Sequence, residues 1–304
     1  MVEFVSHLRR VMIERPLFLM TDPACFDVCY QINPWMRPEA WRADPRRARA
    51  SAKSASADLR RALIALGAQV ETIGAVQGLP DLVFPANAAV VLDGTALLAR
   101  FRHPERQGEE PILREVFARL KRRGLVDHIV DLPDGVFQEG AGDAVWDADR
   151  QMFWAGHGPR SSRGSLAVIA RTFGQDVIGL ELASERYYHL DTCFCPLAGG
   201  KVLYYPAAFT PAGLAAIREH VAEADRIEAS DQEAEAFCVN AVNLDSRILM
   251  ARAPQNLKGK LADHGYVLTE VDLAPFILSG GAAYCMTLRL DRQSRPDRAI
   301  LAAE

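Results

Sequence analysis

The stretch YYHLDTCFCPL, residues 187–197, holds a histidine, an aspartate and two cysteines at alternate positions. Read as a strand, its two-residue period sends His189, Asp191, Cys193 and Cys195 to one face. Such a row could ligate a metal, carry a redox pair, serve catalysis, or pack the edge of a core. Zinc sites built from Cys and His use wider ligand spacings and a second cluster, so the C-x-C pair is expected to pack. Three other segments hold reactive groups: PDLVFPAN with Asp81 and Asn87, FQEGAGDAV with Glu139 and Asp143, and SGGAAYC ending on Cys285. A cysteine, a histidine and carboxylates are what thiol-based covalent catalysis needs: a nucleophile, an acid/base and groups to hold a cation. They lie far apart in the chain, so the fold must gather them.

The elements around these residues repeat. Asp44-Pro45 marks a helix start, a cap followed by proline at the first helical position, and Leu59, Leu63 and Leu66 then line one face. EPILREVFARLKRRG, SSRGSLAVIARTFG and TPAGLAAIREHVAEA keep helical apolar spacing, and NLKGKLADHG does so over a shorter span. AAVVLDGTALLARF reads as a hairpin around Asp93-Gly94; DAVWDADRQMFWAG and CPLAGGKVLYYPAAF repeat the arrangement. Two strands, a helix and a strand then recur over residues 82–132, 136–182, 188–229 and 237–273. A fifth unit is expected to be closed by both chain ends, AAYCMTLRL joining LFLM, the helix after Pro45, and QVETI. The pattern predicts an α/β protein of five small units around one central site. One domain spans 1–304, with 1–15 and 291–304 peripheral. Polar residues early in each unit should face that centre: Asp81 and Asn87, Glu139 and Asp143, His189 and Asp191, Asn240 and Asn243, and Cys285. Asn240 and Asn243 receive no role from the sequence.

Composition narrows the partners. The 304 residues are 49% hydrophobic and 24% charged, ordinary for a globular chain, and the formal net charge of −4 gives no basic excess for nucleic acid or an anionic membrane. No stretch approaches the roughly 20 apolar residues of a membrane span, and the charged N-terminus lacks a signal-peptide core. Six cysteines in so long a chain, with no C-x-x-C, point to reduced thiols and a cytoplasmic setting.

Six segments in order, FDVCYQINPWM, PDLVFPAN, FRHPER, FQEGAGDA, HLDTCF and GGAAYCMTL, make the chain resemble the guanidine-modifying enzymes of the pentein fold over roughly residues 16–290. That group includes arginine deiminases, dimethylarginine dimethylaminohydrolases, arginine dihydrolases and amidinotransferases. The resemblance implies a five-bladed α/β propeller of ββαβ units with pseudo-fivefold symmetry. It also implies a small guanidino substrate, no cofactor or metal, and a possible homodimer. By motif, Cys285 matches the nucleophile, His189 the acid/base, Glu139 the carboxylate that grips guanidinium nitrogens, and Asp191 the acidic partner after the histidine. Arg106 and Arg160 match binders of the substrate α-carboxylate, and Asp81 and Asn33 further substrate-side residues. Deiminases and dimethylaminohydrolases usually carry Asp where this chain has Asn87, whereas arginine dihydrolases share PAN. A carboxylate only accepts hydrogen bonds, while an amide also donates, as the ureido carbonyl of citrulline requires. The resemblance therefore implies arginine hydrolysis through a covalent amidino-thioether, leaning to a dihydrolase that forms ornithine, carbon dioxide and ammonia. A citrulline-forming dimethylaminohydrolase or deiminase, an amidinotransferase, and an inactive guanidino-binding protein remain the alternatives.

Overall fold

The computed structural model describes residues 15–295. Of the segments expected to be peripheral, residues 1–14 and 296–304 lie outside the described residues. Strands Ala89–Leu92 and Thr95–Leu98 form a hairpin with Ala89 opposite Leu98, and Thr95–Leu98 also pairs in parallel with His128–Val130. Helix Glu109–Arg122 makes the crossover. The same antiparallel-then-parallel order recurs in Ala144–Asp147, Met152–His157 and Asp176–Glu181, with helix Ser165–Phe173 between the last two. It recurs in Phe194–Leu197, Lys201–Tyr204 and Arg226–Glu228 with helix Pro211–His220, and in Val242–Leu244, Arg247–Ala251 and Val267–Val271 with helix Gln255–Asp263. The fifth sheet joins the chain ends as expected. Leu288–Arg289 runs antiparallel to Leu17–Thr21, which pairs in parallel with Gln69–Ile73 across helix Pro45–Ala65.

Local chemistry accounts for these boundaries. Asp93 and Gly94 both take positive φ, 50° and 71°, the requirement of a two-residue primed hairpin turn. The Asp44 carboxylate accepts from the Arg47 N–H and the Thr210 hydroxyl from the Gly213 N–H, each satisfying an amide that its helix leaves free. Burial is graded across each sheet. Ala89–Leu92 and Ala144–Asp147 are buried at every position, whereas the third strands, such as His128–Val130, are partly exposed. Leu, Val and Phe on the inner strands each contribute about 1.5–3 kcal/mol by leaving water. The largest cluster of buried apolar side chains includes Trp41, Trp154, Phe276, Leu190 and Cys285, so the segments around Leu190 and Cys285 are rooted in core. No helix among the described residues is long and apolar enough to cross a membrane.

One expectation is corrected. Residues 187–197 are not a continuous strand: Leu190–Thr192 forms a 3₁₀ turn and the strand starts at Phe194. The Thr192 N–H and hydroxyl both donate to the His189 carbonyl, at 3.2 and 2.6 Å, and the Leu190 N–H donates to the Asp143 carboxylate at 3.0 Å. These bonds curl the backbone out of the period-2 geometry. His189, Asp191, Cys193 and Cys195 therefore share no face. Cys193 and Cys195 are buried core thiols, as expected, and Cys195 Sγ donates to the Ala241 carbonyl at 3.5 Å.

Candidate active site

The first strand of every sheet is entered through a tight segment that carries a polar residue. Pro85–Ala88 holds Asn87; Gly140–Gly142 follows Glu139; Leu190–Thr192 holds Asp191; Asn240 stands before Val242; Cys285 stands before Leu288. Hydrogen bonds link these five segments in a cycle. Asn87 Nδ2 donates to the Glu139 carbonyl at 3.2 Å and the Leu190 N–H to Asp143 Oδ1 at 3.0 Å. Asn240 Nδ2 donates to the Asp191 carbonyl at 3.0 Å, and the Cys285 N–H to Asn240 Oδ1 at 3.2 Å. The Ala86 N–H closes the cycle on the Cys285 carbonyl at 3.2 Å. The reactive side chains thus sit on a continuous backbone framework, and all of them are buried.

On one side of this framework Glu139 is the hub. Its Oε2 lies 2.7 Å from His189 Nε2 and accepts from Arg160 at 3.0 Å, while Oε1 accepts from the Arg102 N–H at 3.0 Å. Burial favours the neutral acid, but the Arg160 guanidinium and the histidine bond outweigh it and hold Glu139 well below the usual carboxylate range. Ser161 braces the segment, its Oγ accepting from the Glu139 N–H at 3.0 Å and donating to Asp143 Oδ2 at 2.5 Å. Burial pushes Asp143 up to about 6, against the pull of His189 and Ser161.

On the other side the thiol dominates. Cys285 Sγ donates to Asp191 Oδ2 at 3.0 Å and accepts from Asn240 Nδ2 at 3.0 Å. Burial, reinforced by the Asp191 carboxylate, raises this thiol well above its ordinary value. Burial likewise pushes Asp191 up to about 7, with the bonds from Cys285 and Asn240 opposing it. Asp191 Oδ1 is buried without a hydrogen-bond partner among the described residues.

A narrow pocket reaches Cys285, walled among others by Asn33, Asp81, Asn87, Arg106, Arg160 and Tyr188. Its free space is about 10 Å³, on the scale of one water molecule. Ile32 also lines it, its carbonyl accepting from Arg160 at 3.0 Å, and the Arg160 guanidinium stacks 4.5 Å over the Tyr188 ring. Asp81 accepts from the Tyr30 hydroxyl at 3.0 Å and the Ser279 hydroxyl at 3.2 Å. Asn33 ties its own loop, accepting from the Trp35 and Met36 N–H groups and donating to the Ser279 carbonyl. Arg106 is more committed than Arg160. It grips Glu109 with two bonds of 2.8 and 2.9 Å and donates to Asn87 Oδ1 at 2.8 Å and to the Asp81 carbonyl at 3.1 Å. Four of its five N–H groups are therefore taken internally.

Gly142 is needed for close approach here: a Cβ on it would overlap Asn87 Nδ2. A Gly142→Ala variant is expected to displace the Asn87 amide and to lower turnover about tenfold with the fold intact. Steady-state kinetics beside circular dichroism checks this, and full activity would show that Asn87 has freedom the packing denies it.

The family model for N,N dimethylarginine dimethylhydrolase, eukaryotic, matches residues 31–292. The chain belongs to the pentein superfamily of guanidino-modifying enzymes. It is 39% identical over 279 residues to the bifunctional arginine dihydrolase/ornithine cyclodeaminase ArgZ of Synechocystis sp., covering 92% of this chain and 38% of that protein. It thus spans under two fifths of that relative's length. It is 32% identical over 275 residues to the N(G),N(G)-dimethylarginine dimethylaminohydrolase of Mycobacterium tuberculosis, covering 90% of this chain and 85% of that one. Among solved structures it is similar to a cysteine-to-serine mutant of the N-terminal domain of ArgZ bound to substrate, an arginine dihydrolase. The TM-score is 0.86 at 38% identity, with 92% of this chain and 100% of that chain covered.

In this pentein, the nine residues matched by motif are all buried: six line the pocket, Glu139 and Asp191 bond to its walls, and His189 bonds to Glu139. Two further residues were not singled out, Glu109, which neutralises Arg106, and Tyr188, which stacks on Arg160; Asn240 was placed at the centre without a role, and it touches the thiol. Glu109 reads as an ordinary first-turn glutamate and Tyr188 as a core aromatic, so neither leaves a signal. Asn240 does leave one: it occupies in the fourth unit the place that Asn87, Glu139, Asp191 and Cys285 occupy in theirs.

Proposed function

We propose that this chain hydrolyses the guanidino group of L-arginine through a covalent adduct on Cys285 and carries the reaction on to ornithine. The observation that carries the reading is the side-by-side placement of a cysteine–aspartate contact, a histidine–glutamate contact and an asparagine amide around one pocket. The dihydrolase function of ArgZ, similar over nearly all of this chain, supports it. The five sheets are read as blades of a pseudo-fivefold propeller in a single domain. The cycle of bonds through the five turns supports that arrangement.

The chemistry follows from the contacts. A resting thiol raised by burial must lose its proton, and Asp191 Oδ2, 3.0 Å away, is placed to take it. The cationic substrate favours the resulting thiolate by its charge. The unpartnered Asp191 Oδ1 accepts one guanidinium N–H. Sulfur attacks the guanidinium carbon, and His189, held by Glu139, gives a proton to the departing ammonia. His189 then takes a proton from water, whose oxygen attacks the amidino-thioether, and collapse frees the thiolate and citrulline. The second round adds a second water and releases ammonia, carbon dioxide and ornithine. In all, two waters are consumed and two ammonia are formed per arginine. The carboxylate end of the substrate meets Arg160 and the remaining N–H of Arg106, with Asp81 and Asn33 on the same wall.

Asn87 decides whether the second round occurs. Its Oδ1 accepts from Arg106 and one Nδ2 hydrogen goes to the Glu139 carbonyl, which fixes the amide's orientation and leaves one hydrogen for a ureido carbonyl. An Asn87→Asp variant loses that donor while keeping its partner Arg106. It is expected to accumulate citrulline and form little ornithine, measured by mass spectrometry of the products. Unchanged ornithine formation would sink this account of Asn87.

The match to the dimethylarginine family model favours a second reading, release of methylamines from N-methylated arginines. One product assay separates the two. Arginine, monomethylarginine and asymmetric dimethylarginine are supplied in turn, and ornithine, citrulline, ammonia and methylamines are counted. Ornithine with two ammonia per arginine upholds the dihydrolase; citrulline and dimethylamine alone uphold the second reading.

A further inference from the structure

Asn240 is fully buried, and its carboxamide is saturated with contacts to one turn. Its Oδ1 accepts the backbone N–H groups of Ala282, Tyr284 and Cys285 at 3.1, 3.1 and 3.2 Å. Its Nδ2 donates to Cys285 Sγ and to the Asp191 carbonyl, both at 3.0 Å. Only one amide orientation satisfies this set, because a flipped group would set its NH₂ against three N–H donors. Both amide hydrogens are used, so the group has no slack.

We propose that Asn240 is the positioning residue of the nucleophile, its oxygen shaping the Cys285 turn and its amide N–H stabilising the thiolate. The inference rests on Cys285 being the nucleophile of the proposed reaction. A donor aimed at sulfur favours the charged form, and it does so more strongly where water is excluded. The groups facing the sulfur otherwise work mostly the other way. Burial and the Asp191 carboxylate at 3.0 Å both oppose a negative charge there, while the phenols of Tyr188 and Tyr284, which burial keeps protonated, add no charge. Asn240 and a backbone bond from Ala282 favour it, with Arg106 and Arg160 on the pocket wall and Asp81 opposing them. No other side chain of similar size supplies both functions: aspartate lacks the donor, and alanine lacks both.

The test compares Asn240→Asp, which keeps an oxygen for the three N–H groups, with Asn240→Ala. Three quantities are measured on each: the pH dependence of Cys285 alkylation by iodoacetamide, resolved by peptide mass spectrometry without substrate; arginine turnover; and melting temperature. Asn240→Asp is expected to fold, to lose about 10–100-fold in kcat with KM within about twofold, and to raise the alkylation midpoint by about one pH unit or more. Asn240→Ala adds no charge and must move the midpoint in the same direction. A midpoint moved only by aspartate, or by neither variant while melting falls, overturns the proposal, and so does a KM effect with kcat intact. If the native chain turned over no guanidine at all, the proposed function would fail, but the alkylation midpoints would still decide the role of Asn240.

Discussion

A Cys285→Ser variant is expected to fold like the native chain and to turn over arginine roughly 10⁴-fold more slowly, or not at all. The substitution is nearly isosteric, so Asn240 Nδ2 and Asp191 Oδ2, each 3.0 Å from the native sulfur, keep a polar partner and the cycle of turns stays closed. What changes is the nucleophile. A hydroxyl is far less acidic than a thiol, and a carboxylate with a value near 7 cannot deprotonate it appreciably. Bound arginine should then persist unchanged, detectable by native mass spectrometry as a non-covalent complex. Retained turnover would place the nucleophile elsewhere. The other buried cysteines offer no alternative, since Cys193, Cys195 and Cys238 donate only to backbone carbonyls.

Glu139→Gln is the second large effect, and it combines activity with stability. Glu139 and Arg160 are 0% and 2% exposed, so removing the charge leaves a buried guanidinium without its anion. Breaking such a pair costs about 3–5 kcal/mol. The same carboxylate lies 2.7 Å from His189 Nε2, and on the proposed mechanism, in which it orients and stabilises the imidazolium, its removal is expected to lower kcat by about 10³–10⁴-fold. Urea denaturation and steady-state kinetics measure the two losses separately. A variant that unfolds at the native urea midpoint but is inactive would assign Glu139 to catalysis alone. One with native kcat would remove it from the mechanism.

The unit repeat was legible because each unit carries its own punctuation. Asp93-Gly94 demands a primed turn, Asp44-Pro45 and Thr210-Pro211 demand helix starts, and the apolar spacing of Leu113, Val116, Phe117 and Leu120 demands one buried face. These signals are local, and the fold obeys them. The closing sheet could be foreseen for the same reason, since LFLM and QVETI lacked a third strand that the run before LDRQ could supply.

The opening histidine stretch shows where local reading fails. Alternation of polar and apolar residues in YYHLDTCFC is what a strand would show, yet Asp143, 47 residues away in sequence, holds the Leu190 amide and the chain curls. A side chain from another unit competes successfully with strand geometry because it satisfies a buried N–H that cannot be left unpaired. Arg106 is a similar case. Its position suggested an open fork for a carboxylate, but Glu109 from the next helical turn occupies most of it.

The sequence by itself therefore determined the elements, their order and the chemical types of the reacting groups, because turn, cap and periodicity rules act over a few residues. The tertiary structure alone decided the pairings: His189 with Glu139, Asp191 with Cys285 rather than with its neighbour His189, and Asn240 with the thiol. Those contacts join residues 45 to 94 positions apart. They form where the five turns meet, and because the site is buried, polar groups such as these find their partners on other turns rather than in water.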